Sequence, residues 1–167
     1  MAGLINIGVA SIAIGAIATD GGMGTTLAPL GFTEEGSAQI NMDDPTETEF
    51  NVEELDTPIW IESKAGKIAV AFKVANPDED TLVKVFGGTK TGTGATAVYT
   101  WPLISQVIER SIKITPKQGM GINIPRAKIT AKFSSEIGRG ALLGVEVTGT
   151  VLQPTKADEP ALSTFRV

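Results

Sequence analysis

The sequence of 167 residues contains no cysteine and no histidine. Without thiols there is no disulfide framework and no cysteine nucleophile, and without imidazoles there is no histidine base and no zinc site of the usual kind. Carboxylates, serine and lysine remain formally available for catalysis, but no apolar pocket to tune them is evident in the pattern of residues. We therefore expect a protein that is not an enzyme and that uses no cofactor.

Basic residues are absent from the first third of the chain. Residues 1–63 carry eleven acidic side chains and no basic one, and the first basic residue is Lys64. The remainder carries fourteen basic and eight acidic side chains, so that −11 is followed by +6 and the formal net charge is −5. This acidity argues against a general nucleic-acid binder, which presents a basic surface. The split instead suits contacts between oppositely charged parts of different copies.

Long-chain aliphatic residues are also scarce, because 10 leucines stand against 48 residues of Ile, Val and Thr. Such an excess of β-branched residues, with 19 glycines and 9 prolines between the apolar segments, is typical of a mainly β protein. The length suits one domain, and no repeat or linker divides it. We predict a single domain over residues 1–167, a β-sandwich or barrel with one flanking α-helix.

Alternation of apolar and polar residues predicts where the strands lie. Residues 68–74 are the clearest case. Further strands are expected at about 37–42, 59–62, 96–101, 107–115, 120–134 and 142–153. The helix is expected to begin with Asn76 as its N-cap and Pro77 in its first turn, and to end at Gly87. A shift of the apolar phase at Pro125 predicts a bulge or an edge position.

The apolar segment 4–18 allows two interpretations. It ends in Ala-Ile-Ala, which imitates a signal-peptidase site, yet no basic residue precedes it. Its alternation starts at Ile5 and Ile7 and resumes one step out of phase at Ile12, which predicts a strand with a slip. The segment is also short for a membrane span. We predict a strand, with Met1 retained and both chain ends held by neighbouring subunits, and keep a signal peptide as the alternative.

Three short patterns resemble binding motifs without completing them. Gly87 and Gly92 have the spacing of a phosphate-binding loop, but Thr93 stands where that motif needs lysine, so residues 87–96 are expected to be a flexible loop. Residues 21–24 are glycine-rich but lack a surrounding βαβ unit. The acids of residues 43–49 offer oxygen ligands for calcium but lack the EF-hand spacing, so a solvated acidic loop is preferred and no metal is expected.

Two segments carry candidate contact residues in addition to the N-terminal segment. Residues 43–58 are acidic but include apolar side chains, as in an extended arm or an ordered loop. Basic residues on one face of the strand that follows Pro125, called the basic ladder, could touch phosphates, but pair more simply with Glu146 or with the acidic third of another copy. The candidate inter-subunit residues are Ile5 and Ile7; Glu47, Glu49, Phe50, Val52, Glu53, Glu54 and Leu55; and Arg126, Lys128 and Lys132 of the basic ladder.

The order of these elements resembles the tail tube (major tail) proteins of long-tailed bacteriophages. The resemblance spans most of the chain, although it includes no diagnostic signature motif. It rests first on the slipped first strand, which is followed by Asp20-Gly21 and Met23-Gly24-Thr25, and on the acidic Asp44-Pro45-Thr46-Glu47-Thr48-Glu49 ahead of Pro58. It rests also on the two segments that bound the helix, Asn76-Pro77-Asp78 and Gly87-Gly88-Thr89, and on Ile122-Asn123-Ile124-Pro125 in a late strand.

The resemblance implies a virion protein whose hexameric rings stack into the tail tube, the conduit for DNA ejection. Residues 1–30 and 43–58 would then contact neighbouring subunits, and some acids would face the lumen. The implied partners are other copies of the chain, a tape-measure protein and viral DNA in the lumen without sequence-specific contacts, the tail terminator, baseplate or hub proteins, and a sheath protein if the tail is contractile. No membrane is implied, and the expected location is the virion tail, assembled in the host cytoplasm.

Two other functions are compatible with a β domain of this composition. A secreted β-sandwich module that binds carbohydrate would need an exposed aromatic platform, for which Trp60, Tyr99 and Trp101 are the available residues. Another virion β protein, such as a capsid decoration protein, would form trimers or monomers on a lattice and no tube.

Overall fold

The structure is a computed structural model that describes residues 3–134, 138 and 142–167. In these residues the chain forms twelve strands and one α-helix, which confirms the mainly β fold with a flanking helix. The elements are β1 (Ile7–Gly15), β2 (Leu27–Pro29), β3 (Gln39–Met42), β4 (Thr46–Phe50), β5 (Trp60–Lys64), β6 (Ile68–Val74), α1 (Glu79–Phe86), β7 (Thr89–Thr91), β8 (Val98–Thr100), β9 (Ile108–Gln118), β10 (Met120–Phe133), β11 (Val145–Val151) and β12 (Ser163–Arg166). No helix within the described ranges is long and apolar enough to cross a membrane.

Eight of the strands form one antiparallel sheet. Seven of them follow the order β2-β1-β9-β10-β11-β6-β3, and the eighth is β12. β12 pairs with the first residues of β10, and β11 pairs with its last residues. Twelve residues of the N-terminal segment 1–30 are strand residues of this sheet, because β1 pairs with β9 along most of its length and β2 pairs with β1. Residues 3–6 precede β1, and residues 16–26 connect β1 to β2.

The segment that follows β2 closes this sheet on itself. Leu30 N–H donates to the carbonyl of Ile12 in β1 at 3.1 Å. A few residues later, Glu34 N–H donates to the carbonyl of Lys73 in β6 at 2.9 Å, and Ala75 N–H donates to that of Phe32 at 2.8 Å. The sheet is thereby a barrel, and the inward members of each strand fill it. The buried apolar core is Ile12, Ile14, Leu30, Val70, Phe72, Val74, Val85, Ile108, Ile112, Ile124, Ala127, Ile129, Val145 and Val147.

Both phase slips predicted from the sequence are register shifts in the structure. The β1–β9 pairing shifts between Val9 and Ser11, and the β9–β10 pairing shifts on either side of Pro125. The buried hydroxyl of Ser111 donates to the Pro125 carbonyl at 2.6 Å and accepts from Gly24 N–H at 2.9 Å. Ser111 thus links the bulge at Pro125 to the loop after β1, and it donates the hydrogen bond that the Pro125 carbonyl would otherwise lack.

The start of α1 differs from its prediction. Asp78 is the N-cap, and its carboxylate accepts from Thr81 N–H at 2.7 Å. Asn76, the predicted cap, instead accepts from Phe32 N–H at 2.6 Å and so helps to hold the barrel seam. Asparagine and aspartate cap helices about equally well, so the neighbouring segment decides between them. The predicted end is confirmed, because Gly87 caps the helix with a φ of 79°.

Residues 87–96 are more regular than the predicted flexible loop. β7 pairs with β8 in a short hairpin, and residues 94–96 form a 3₁₀ turn between them. The Tyr99 hydroxyl donates to the Gly87 carbonyl at 2.9 Å, which fastens this hairpin to the end of α1. Burial raises the pKa of Tyr99 above its ordinary value of 10.0.

Candidate assembly interface

A hairpin of residues 46–64, called the arm, projects from the barrel. β4 and β5 pair antiparallel from Thr46 opposite Lys64 to Phe50 opposite Trp60, and every residue of both strands is exposed. At its base, Asp43 N–H donates to the Lys67 carbonyl at 2.9 Å. The predicted arm at 43–58 was therefore too short, because its returning strand extends to residue 64.

The arm combines acidic charge with uncovered apolar side chains. Its acids are Glu47, Glu49, Glu53, Glu54, Asp56 and Glu62, and its one base is Lys64. Phe50, Leu55, Trp60 and Ile61 are all exposed, and Trp60 keeps 66% of its surface in solvent. Val52, in the loop of the arm, is half-buried. A two-stranded hairpin alone is marginally stable in water, so a surface that covers these side chains would stabilise it.

At the helix end of the barrel lies a second apolar surface, which we call the aromatic groove. Three rings form its wall: the ring centroid of Phe86 is 4.7 Å from that of Trp101 and 5.2 Å from that of Phe133. The side chains of Ile108 and Ile129 also line it, and the cavity encloses about 540 Å³. This volume is within the range of cavities that bury a ligand or several side chains of a partner.

Two members of the basic ladder are the charged residues that line the groove in the described part of the chain, Lys128 and Lys132. Lys132 lies 3.2 Å from Glu146, the partner suggested by the sequence, but the lysine stays 70% exposed. Lys128 is exposed and forms no ion pair with any described residue. The groove therefore has an accessible positive rim.

Arg126, the third member of the ladder, is already paired. Its guanidinium donates to both carboxylate oxygens of Glu109, at 2.8 and 3.1 Å. This hydrogen-bonded pair raises the pKa of Arg126. Within the basic ladder, Arg126 is therefore held by a contact within its own subunit, whereas Lys128 and Lys132 remain accessible.

The segment of residues 101–107 beside the groove carries apolar residues that the sequence did not identify as contacts. Leu103 is fully exposed, and Ile104 and Val107 are exposed as well. A signal was present, since Trp101-Pro102 opens an apolar run that does not alternate as a strand does. Trp60 and Ile61 were missed for another reason, because residues 59–62 were predicted to be an ordinary strand of the domain.

The arm and the aromatic groove lie at opposite ends of the barrel. Met42, just before the arm, pairs with Ile68 at the start of β6, whereas the groove residue Phe133 pairs with Val145, which pairs with Val74 at the end of β6. Seven strand residues separate these ends by roughly 20 Å. Among the described residues that line the groove, none belongs to the arm.

The N-terminal candidates form a third and separate surface. Ile5 and Ile7 are exposed. Between them, the Asn6 side-chain oxygen accepts from Met120 N–H at 2.7 Å, which fixes this segment beside the turn between β9 and β10. Ile5 and Ile7 therefore lie beside this turn, and Ile7 pairs with Gln118 and not with a residue of the arm or of the basic ladder.

Most of the acidic charge of the first third is left without an internal partner. Asp20 pairs with Lys156 at 3.0 Å, and Glu34 pairs with Lys73 at 2.6 Å. The hydrogen bond from Lys156, aided by Gly22 N–H, lowers the pKa of Asp20. The other nine acids of residues 1–63 form no ion pair with a described residue, and no three described carboxylates are grouped in a way that could hold a metal ion.

The three aromatic residues considered as a sugar platform do not form one. Tyr99 and Trp101 lie with ring centroids 6.1 Å apart, but their planes are inclined by 79°. Trp60 belongs to the arm at the other end of the barrel. The three rings therefore do not share one flat face.

Comparison of the sequence with protein-family models and with curated proteins finds no match.

Proposed function

We propose that this protein is a structural subunit that assembles with copies of itself into stacked rings and a tube, as the tail tube proteins it resembles do. The observation that carries the proposal is the extent of apolar surface left in solvent. Soluble monomers rarely expose contiguous apolar patches larger than a few hundred Å² unless these bind something. Twelve of the exposed apolar side chains lie in three segments: Leu4, Ile5 and Ile7; Phe50, Leu55, Ile59, Trp60 and Ile61; and Trp101, Leu103, Ile104 and Val107.

The position of these surfaces supports a repeating assembly. The arm and the 101–107 segment lie at different ends of the barrel, and they differ in shape and charge. Contacts between two different patches, repeated from copy to copy, generate rings where the rotation closes and open filaments where it does not. A tube needs both kinds of contact. In the virion, such a tube would be the conduit through which DNA is ejected.

The other candidate functions make different predictions about assembly. A carbohydrate-binding module is expected to be a monomer that binds glycans, and a capsid decoration protein is expected to be a trimer or a monomer. Neither needs an arm that carries exposed tryptophan, isoleucine and phenylalanine side chains.

The test is negative-stain microscopy, with light scattering, of the purified full chain over a range of protein and salt concentrations. We expect rings or tubes of uniform diameter and a scattering mass that rises with protein concentration. A sharp monomer at high concentration under several salt conditions would contradict the proposal. Uniform trimers without tubes would favour the decoration protein instead.

A further inference from the structure

We propose that the arm of one copy docks in the aromatic groove of the next copy. This inference rests on the proposed function and names the contact that would join successive subunits. It identifies the partner of the groove as a second copy of this chain, which would contribute the end of its arm, residues 50–60. Phe50, Leu55 and Trp60 would cover the apolar lining, and the acids between them would face the lysines at the rim.

The groove has the form that receives an extended segment. β10 pairs with β9 only as far as Ile129, whereas its pairing with β11 continues to Phe133. On the β9 side, residues 130–133 therefore have no strand partner in the described part of the chain, and all four line the groove. Such a free sheet edge binds extended chains through main-chain hydrogen bonds. The two strands of the arm pair with each other along one edge, so each has a second edge that is free to form such hydrogen bonds.

The two surfaces are complementary in charge. Glu53, Glu54 and Asp56 are neighbours of Leu55 in the sequence at the tip of the arm, and all four residues are exposed. Lys128 and Lys132 are the charged residues that line the groove in the described ranges. Opposite charges at the rim of an apolar contact set its register and raise the rate of encounter.

The occupant must come from another molecule, because the arm leaves the barrel at the end opposite the groove. The strands of the arm are exposed throughout, so the arm does not fold back on its own barrel. Each copy would then offer an arm at one end and a groove at the other. The contact is heterologous and can be repeated without limit along the tube axis.

The absence of cysteine makes disulfide trapping a clean test of this contact. A full-length Glu54→Cys variant would be mixed with a Lys128→Cys, Thr130→Cys or Lys132→Cys variant, oxidised mildly under assembly conditions and examined on a non-reducing gel. A disulfide needs Cα atoms within about 7 Å of each other, so three groove positions sample the register. We expect at least tenfold more heterodimer with one of these groove variants than with Glu35→Cys, an exposed control outside the groove.

Microscopy of the same mixtures separates this inference from the proposed function. Tubes in which none of the three groove variants forms a heterodimer above the control would overturn the docking and leave the proposed function standing. A groove-specific heterodimer without tubes would support the docking and count against the tube. A double variant, Glu54→Cys with the best groove position, is expected to give a ladder of covalent oligomers, and closed intramolecular monomers alone would overturn the docking.

Discussion

Single side chains hold this barrel together at the places where its regular pairing stops. Asp78 caps the helix that covers one end, Asn76 holds the seam, and Ser111 satisfies the bulge at Pro125. The Asp78 carboxyl shows how such a group responds to pH. Burial raises its pKa, but the hydrogen bonds from Thr81 and the charge of Lys84 outweigh burial, so its pKa lies below the ordinary value of 3.8.

This cap makes a prediction at the residue scale. Asp78→Ala is expected to lower the free energy of unfolding by about 1 kcal/mol, because Thr81 N–H loses its acceptor. Asp78→Asn is expected to lose only a few tenths of a kcal/mol, because the amide oxygen still accepts that hydrogen bond. The measurement is urea denaturation at pH 7, at a concentration where light scattering shows monomer.

The pH dependence of the same variants has a definite sign. A carboxyl with a lower pKa in the folded state contributes stability above its unfolded pKa and loses it as the pH falls through the folded pKa. The advantage of the wild type over Asp78→Asn should therefore shrink as the pH falls from 5 towards 2.5. A difference that stays constant over this range would show that the charge of Asp78 adds nothing to the cap.

At the scale of elements, the arm contributes no side chain to the core of the barrel. Its ten strand residues bury no side chain in the barrel, whereas β6, which follows it, has Val70, Phe72 and Val74 in the core. The hydrogen bond from Asp43 to Lys67 brings the two ends of the arm together. A tight turn can therefore replace the arm without disturbing β3 or β6.

Removal of the arm should separate folding from assembly. Replacement of residues 44–66 by Asn-Gly forms a two-residue hairpin turn between Asp43 and Lys67. We expect a melting temperature within about 5 °C of the wild type, since no core contact is lost, and no tubes by microscopy. Circular dichroism provides the control for the intact barrel. Tubes formed by a folded variant of this kind would show that the arm is not an interface.

At the scale of the whole molecule, the acids of the arm and the accessible lysines of the groove lie at opposite ends of the barrel. The arm concentrates six acids at one end of the barrel, and the opposite end presents accessible Lys128 and Lys132. The remaining charges partly cancel within the subunit, as in the pairs of Asp20 with Lys156 and Arg126 with Glu109. The molecule thus has a polarity that suits head-to-tail association.

Reversal of the charges at one end of the molecule, in one variant at a time, should abolish the complementarity between the arm and the groove. Mixing the two variants should restore it. One variant carries lysine at Glu53, Glu54 and Asp56, and the other carries glutamate at Lys128 and Lys132. We expect each alone to assemble about tenfold more slowly than the wild type, because like charges meet at the contact. An equal mixture should approach the wild-type rate, since each arm then meets an opposite groove.

Light scattering followed over time measures these rates. High salt is the control, because screening should reduce the difference between the variants and the wild type. If the mixture assembles no faster than the separate variants, the two charged ends do not meet.

The features that the sequence predicted correctly depend on neighbours in the chain. The alternation of residues 68–74 reports the two faces of β6 directly, and the phase shifts at Val9 and Pro125 report the bulges. Strands β2, β7 and β12 were not predicted, because their three or four residues do not alternate between apolar and polar. The N-cap was misplaced by two residues, because Asn76 and Asp78 are equally good local signals.

Composition and local period were enough to predict a mainly β domain with one helix, the approximate positions of most long strands and the separation of charge. The fold was needed to show that residues 27–34 close the barrel and that residues 59–64 belong to the arm. It alone brought Phe86, Trp101 and Phe133, up to 47 positions apart, into one groove. A local pattern depends only on neighbours in the chain, whereas hydrogen bonds and ring contacts between distant segments form only when the barrel closes.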